Sequence, residues 1–573
     1  MPTHIFPYQR FAGLALALLL FAMPAYAQPA TDQVPPATRT FVLENVRIVQ
    51  APGRVIENGS ILIRDGLIHS VGATIDAPFD AKRMEGDSLT VYAGFIDGLS
   101  HTGIPKPKAA SNLPQVPPAN PPNDRAGIQP ERFAADMVDH AEKSSTQLRE
   151  AGFTAAHVVP HGQMLPGSGA IILLGGDDAK SMVFKRDASL FAQIETARGV
   201  YPGTPMGVMA KFRQLYHEAN RRQRIENLYN DNPNGLSRPA YDPVHAAFFP
   251  VLSKEKPVIM YAEDPLETYR SIRLHSELDF PLMLAGMYEG SEVVDQLMEA
   301  DVPLFLTLKM PKEAKKDGSD TLDYDPGLRT LSHADTEAEA SNLKARQHLA
   351  RQQFYGTGAN FHEAGLSFGF TTIEVKAADI HKNLRMMVEH GLPAETALAA
   401  LTTTPAATFG LSDVMGTVDA GKMANLVVTT GPLFDEDSKI KYVFVDGNPT
   451  TYDVKPKKAA SSDSAATANP VGEWTISLDG LGVGGTVVVE GEDGDFSGTA
   501  LFDGMPEISI STMTLDGNEL TFDITVPGQG TASVSMTIDG DEGEGAFEIP
   551  GMGSVDFTAE RTPEQRTLQS LFR

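Results

Sequence analysis

From Phe41 the chain alternates apolar and polar positions in short runs, first FVLENVRIVQ and then SILIRDGLIHSVG. Asp65-Gly66, set between apolar runs, predicts a hairpin turn. A third β run, LTVYAGFID, ends at Asp97. From Ile104 to Pro130 prolines at 105, 107, 114, 117, 118, 121, 122 and 130 rule out regular helix or central strand. Such a long excursion is functional or disordered. Beyond it the pattern changes. FTAAHVV, PVIMYAE, FPLMLAG, VPLFLTL and LSFGFTT are near-continuous apolar runs, and the segments 131–151, 264–276, 290–300, 334–356 and 376–391 carry helical periodicity. Buried strands alternating with helices predict βαβ units around a parallel sheet. Residues 93–412 therefore predict an α/β fold, a (β/α)8 TIM-like barrel with insertions. GSGAIILLGG reads as turn, strand and turn, because it lacks the lysine of a phosphate loop.

Residues 414–449 return to β character in GTVDAGKMANLVVTTG and IKYVFVDGNP. A small β layer thus draws on both sides of the barrel in sequence, and we expect a composite β-sandwich from 40–92 and 413–450. Residues 451–469 are a linker of Ala, Ser, Thr and Lys. Between Val471 and Glu560 there are 18 Asp and Glu and no Lys or Arg, with alternating runs broken by Asp-Gly, Gly-Asn and Gly-Gly. That predicts an acidic antiparallel barrel or sandwich over 470–563. GEDGD and DGDEGEGAF do not have the spacing of a helix–loop–helix calcium loop and read as hairpin turns.

Composition narrows the partners. With 47 Lys and Arg against 74 Asp and Glu, the net charge is −27, which disfavours nucleic acid. There is no cysteine, so disulfides, thiolate nucleophiles and lipoprotein anchoring are excluded. At the N-terminus Arg10 precedes the apolar run Phe11 to Met23, followed by the small-residue site Ala25-Tyr26-Ala27. This reads as a secretory signal peptide over 1–27, with a loose Pro/Ala/Thr leader over 28–39. The run is too short to cross ~30 Å of hydrocarbon, and no later run has spanning length. A secreted protein of the bacterial periplasm, without a membrane span, is the expectation.

Three junction segments resemble the metal-dependent amidohydrolase superfamily: VYAGFIDGLSH (Val91 to His101), LPAETALAALTTTPAATFGL (Leu392 to Leu411), and GTVDAGKMANLVV with KYVFVDGNP. The resemblance covers about residues 40–450 and implies one or two metal ions that activate water. It places ligands at the C-terminal ends of barrel strands: H-x-H after the first, a bridging carboxylate or modified Lys, single His after the fifth and sixth, and Asp after the eighth. This sequence departs from that set. Leu99 stands at the first His position and only His101 remains; Tyr261 stands at the fifth strand, Gly286 and Met287 at the sixth, and Thr371 and Thr372 at the eighth. PMGVMA at 205–210, with AGFTAAHVVPHG and GSGAIILLGG, resembles a degenerate, imidazolonepropionase-like branch, whose members often occur fused to or beside an intact amidohydrolase.

A divalent ion needs about three or four protein ligands, so the expected cofactor is none or one divalent metal (Zn, Mn or Mg). Glu263, Glu289 and Glu374 with His101 are candidate replacement ligands, a carboxylate-rich set suited to hard cations. His157 and His161 are loop or core histidines, or line the barrel mouth. Asp97 is a strand-end hydrogen-bond acceptor or faces the mouth, His362 lies at the non-catalytic end of the last strand, and Ser100 and Ser168 lack His–Asp partners. The resemblance implies a hydrolase of non-peptide carbon–nitrogen bonds with its activity lost or altered. The alternative is a catalytically silent binding or scaffold protein that partners an intact amidohydrolase. A small-molecule ligand is expected on either reading, and a homodimer is possible by analogy.

Overall fold

The computed structural model describes residues 39–108, 115–176, 178–288, 290, 292–311, 333–452, 454, 469–478, 484–492, 495–502, 507–516, 518–526, 530–549 and 553–561. The segment expected to be a signal peptide, most of the expected leader and linker, and Glu289 lie outside the described residues. The chain divides into two compact units, Met1–Lys455 and Pro456–Arg573.

In the first unit, β1 (Thr40–Ala51), β2 (Arg54–Arg64), β3 (Leu67–Gly72), β4 (Lys82–Glu85) and β5 (Thr90–Ala93) precede the barrel. Asp65-Gly66 forms the turn between β2 and β3, both residues with positive φ. The barrel strands are β6 (Phe95–Ser100), β7 (Phe153–Val158), β8 (Gly167–Leu173), β9 (Val183–Gln193), β10 (Val258–Tyr261), β11 (Leu282–Met287), β12 (Leu304–Thr307) and β13 (Phe368–Thr371). After them β14 (Leu426–Thr429), β15 (Ile440–Val445) and β16 (Asn448–Thr451) return to the first layer, where β14 pairs antiparallel with β5. That layer is one hydrogen-bonded sheet, ordered β16-β15-β14-β5-β1-β2-β3 with β4 beside β1. Leu43, Ile48, Val91, Leu426 and Phe444 are fully buried in its core.

The barrel sheet keeps all eight strands in sequential order, but it departs from the expected all-parallel (β/α)8 pattern. β8 runs antiparallel to both β7 and β9, while the other neighbours pair in parallel. The cause is connection length. Residues 159–166 join β7 to β8, and a parallel crossover needs a dozen or more residues; the chain therefore turns back on itself. The two edge strands meet, with the Ile373 amide donating to the Leu99 carbonyl at 3.1 Å. The ring of Phe305 fills this seam. A Cβ on Gly98 would fall 2.0 Å from its Cδ1, and one on Gly369 2.6 Å, so both edge strands need glycine there.

Helices occupy Pro265–Leu278, Val294–Ala300, His333–Tyr355 and Ile380–Glu389, close to the expected spans. Of the segment 131–151 only Lys143–Glu150 is α-helical. Ile128 bridges Leu165 and Phe133 bridges Ser168, which draws the preceding backbone onto the sheet. A long helix, Pro205–Asp231, starts where Thr204 accepts from the Gly207 amide at 3.1 Å and proline takes the first turn.

In the second unit eight antiparallel strands, from Gly472–Leu478 to Gly553–Arg561, form a closed barrel, each paired with its sequence neighbours and the last with the first. Trp474 is fully buried, donates to the Pro470 carbonyl, and carries the Arg561 guanidinium 4.5 Å above its ring. Of the two arrangements expected from sequence, the barrel is the one formed. No helix among the described residues is long and apolar enough to cross a membrane.

Candidate functional site at the barrel mouth

The C-terminal ends of β6, β10, β11 and β13 carry the positions where the resemblance places metal ligands, and each is committed elsewhere. Leu99 is fully buried in an apolar cluster with Ile171, Phe191, Ile259 and Phe305. Tyr261 and Gly286 are complementary. Gly286 has φ +101°, a left-handed backbone that favours glycine, and a Cβ there would lie 2.3 Å from Cε2 of Tyr261. The tyrosine ring thus covers the sixth-strand position. Thr372 donates its hydroxyl to Asp97 Oδ2 and its amide to Asp97 Oδ1, latching the last strand to the first. Asp97 also accepts from the Leu99 amide at 3.1 Å. Burial pushes its carboxyl up to about 7, against the opposing pull of the bonds from Thr372 and Leu99. Asp97 is thus the expected hydrogen-bond acceptor, turned to closing the barrel.

Two of the candidate carboxylates do meet, across a lysine. Lys309, two residues past β12, places Nζ 2.8 Å from Glu374 Oε2 and 3.2 Å from Glu263 Oε1. Tyr261 donates its hydroxyl to the same Glu263 oxygen at 2.6 Å. Hydrogen bonding to Glu374 raises the Lys309 ammonium's pKa, and burial with the Glu263 bond raises that of the Tyr261 phenol. Glu374 itself sits in the left-handed region at φ +58°. Glu195, after β9, is raised by burial and then by the Glu374 charge. Sequence reasoning paired the two glutamates and missed Lys309; its place just beyond an apolar strand, in the same position as Glu263 beyond β10, was the available signal.

The third candidate, His101, does not join them. Its Nδ1 donates to the Val159 carbonyl at 2.8 Å, and its ring stacks on His161 with centroids 3.9 Å apart and planes inclined by 27°. His161 Nε2 donates in turn to the Ile104 carbonyl at 3.2 Å. Burial pushes His101 down to about 4, reinforced by the neighbouring His161, and it also lowers His161. His101 is neutral at pH 7. Both imidazoles line a cavity of about 800 Å³ with Thr372, Glu374, Lys106, Lys376 and His381. Of the two histidines flanking VVP, His161 thus lies at the mouth. His157 is fully buried, donating to the Gly98 carbonyl and accepting from Ser189, against the ring of Phe409. Ser168 meets the buried Lys256 ammonium at 3.3 Å, and Ser100 accepts from the Thr102 amide. His362, on the helix Thr357–Glu363 before β13, meets the Thr396 hydroxyl of a later helix, Ala394–Leu401.

These residues do not fit the divalent ion that the resemblance implies. Leu99 and Gly286 offer no donor atom, Tyr261 and Thr372 spend their hydroxyls on carboxylates, and an ammonium already sits between Glu263 and Glu374. Stacked imidazoles cannot aim both in-plane lone pairs at one point ~2 Å away. Among the described residues no three His, Asp or Glu side chains converge as a metal site.

Comparison with known proteins agrees with the fold. The amidohydrolase family profile matches residues 351–451, which include two of the three junction segments. An amidohydrolase from Thermotoga maritima has a TM-score of 0.56 at 20% identity, over 71% of this chain and 99% of its own. Two others are more distant and add nothing to the argument: a Xaa-Pro dipeptidase with bound methionine (17% identity, 72% and 100% covered, TM-score 0.39) and a molinate hydrolase (14%, 72% and 95%, 0.40). Comparison with curated proteins found no match. The resemblance read from the junction segments holds.

Proposed function

We propose that this chain, a member of the amidohydrolase superfamily, is a secreted barrel that binds a small molecule at its mouth without the superfamily's divalent ion. The observation that carries the reading is the Lys309 ammonium held between Glu263 and Glu374. A cation of the protein's own balances the two carboxylates best placed to replace the missing ligands, while Tyr261 covers Gly286 beside them. Water activation by a metal needs an open coordination position and a fixed ligand shell; this mouth supplies a hydrogen-bonding surface and a cavity instead. A cavity of about 800 Å³ is within the range of small-molecule sites. The reading leaves carbon–nitrogen bond hydrolysis to an intact companion amidohydrolase.

The test is a small-molecule thermal-shift screen of the full chain in EDTA, with hydrolysis of amide, ester and imide substrates followed in parallel. The reading expects ligands that stabilise the barrel in EDTA and no turnover. Hydrolysis that EDTA abolishes and zinc or manganese restores would overturn it.

A further inference from the structure

Three imidazoles line the cavity, and each comes from a different segment: His101 after β6, His161 after β7 and His381 on the helix Ile380–Glu389. All three are held alike. His101 Nδ1 meets the Val159 carbonyl at 2.8 Å, His161 Nε2 the Ile104 carbonyl at 3.2 Å, and His381 Nε2 the Ala151 carbonyl at 3.1 Å. A carbonyl only accepts, so each bonded nitrogen carries the proton. In the neutral ring the second nitrogen is then an acceptor: Nε2 of His101, Nδ1 of His161 and Nδ1 of His381. Three rings that line one cavity thus each keep one acceptor nitrogen beside the bonded one. They do not form a metal site.

Glu142 and Glu150 also line the cavity, with Lys106, Lys376 and Glu374, one oxygen of which takes the Lys309 ammonium. Carboxylates are acceptors only. A ligand matched to such walls brings N–H donors, and one that brings further lone pairs leaves the imidazoles facing acceptors, which costs affinity.

We propose that the cavity binds a nitrogenous small molecule through its N–H donors, an amine, guanidinium or urea group held by the lone pairs of His101, His161 and His381 and by the flanking carboxylates. This rests on the metal-free reading above and names its ligand class.

The experiment compares three probes of equal chain length, n-butylguanidinium, n-butylammonium and butyrate, titrated into the full-length protein in EDTA and followed by ligand-observed NMR. The guanidinium and ammonium probes bind, and butyrate binds about tenfold more weakly or not at all. His161→Phe keeps a ring stacked on His101 and removes one lone pair, and it weakens guanidinium binding about fivefold or more. Glu374→Gln, at an exposed position, is the second variant in case the first fails to fold, with the same expectation. Equal binding of butyrate, wild-type affinity in both variants, or no binding by any probe overturns the ligand class. Binding that appears only after zinc is added overturns the metal-free reading instead, so the two failures are distinguishable.

Discussion

If Tyr261 replaces the sixth-strand side chain by covering Gly286, then Gly286→Ala must be costly, and the cost must depend on Tyr261. Two terms contribute. At φ +101° a Cβ incurs backbone strain of about 1–3 kcal/mol. Its placement 2.3 Å from Tyr261 Cε2 forces the ring or strand to move, worth about 1–3 kcal/mol as overpacking. Gly286→Ala should therefore destabilise the first unit by about 2–6 kcal/mol. Tyr261→Ala costs about 1–3 kcal/mol by itself, since the side chain is only partly buried. In the double variant the overpacking disappears and the strain remains. The double-mutant cycle should thus return about 1–3 kcal/mol of favourable coupling. Unfolding is best followed by far-UV circular dichroism, because Trp474, the chain's one tryptophan, lies in the second unit. Strictly additive costs, or a neutral Gly286→Ala, would refute the packing argument.

Further outcomes follow from neighbouring contacts. Leu99→His alone should not create tight zinc binding, because Tyr261, Gly286 and Thr372 still leave the shell short; nanomolar zinc affinity would show the strand alignment to be wrong. It should also cost about 1–3 kcal/mol as an unpaired polar group in the apolar cluster, read by chemical denaturation. Asp97 has a folded pKa near 7, above its unfolded value, so ionisation penalises the fold progressively as pH rises from about 4 to 7. Asp97→Asn should accordingly gain in melting temperature relative to the wild type between pH 5 and pH 8; a relative loss contradicts the assignment. His101 and His157 act oppositely, since folded values of about 4 make the fold lose stability as pH falls from about 6.5 to 4. Replacing His157 by Phe should reduce that acid sensitivity in a melting series. Lys309→Met should cost less than about 1 kcal/mol, because the lysine and both partners are partly exposed, and salt should shrink the difference.

Much of the fold is written in local pattern. The apolar runs ending at Tyr261, Met287 and Thr371 became strands, each followed along the chain by a helix. The strand Val183–Gln193 was not legible, since its first half, VFKRD, is largely exposed and only its second half is buried. The reversal of β8 was concealed for a different reason: direction depends on how far a connection reaches, and an apolar run carries no arrow. At the site, residue identity showed which ligands were missing, because Leu99 and Gly286 have no donor to offer. It could not show what filled the space. The Tyr261 ring over Gly286, the Lys309 bridge and the stacked His101 and His161 are relations between segments brought together only by barrel closure.

On the function proposed above, Lys309 and the Tyr261 ring stand where an amidohydrolase would hold a divalent ion. The most direct measurement is the metal content of the full-length protein after incubation with excess zinc and manganese and exhaustive dialysis, by elemental analysis. Far less than one equivalent per chain and an unchanged melting temperature are expected. About one tightly held equivalent, lost on replacing His101 or Glu374, would contradict the proposed function.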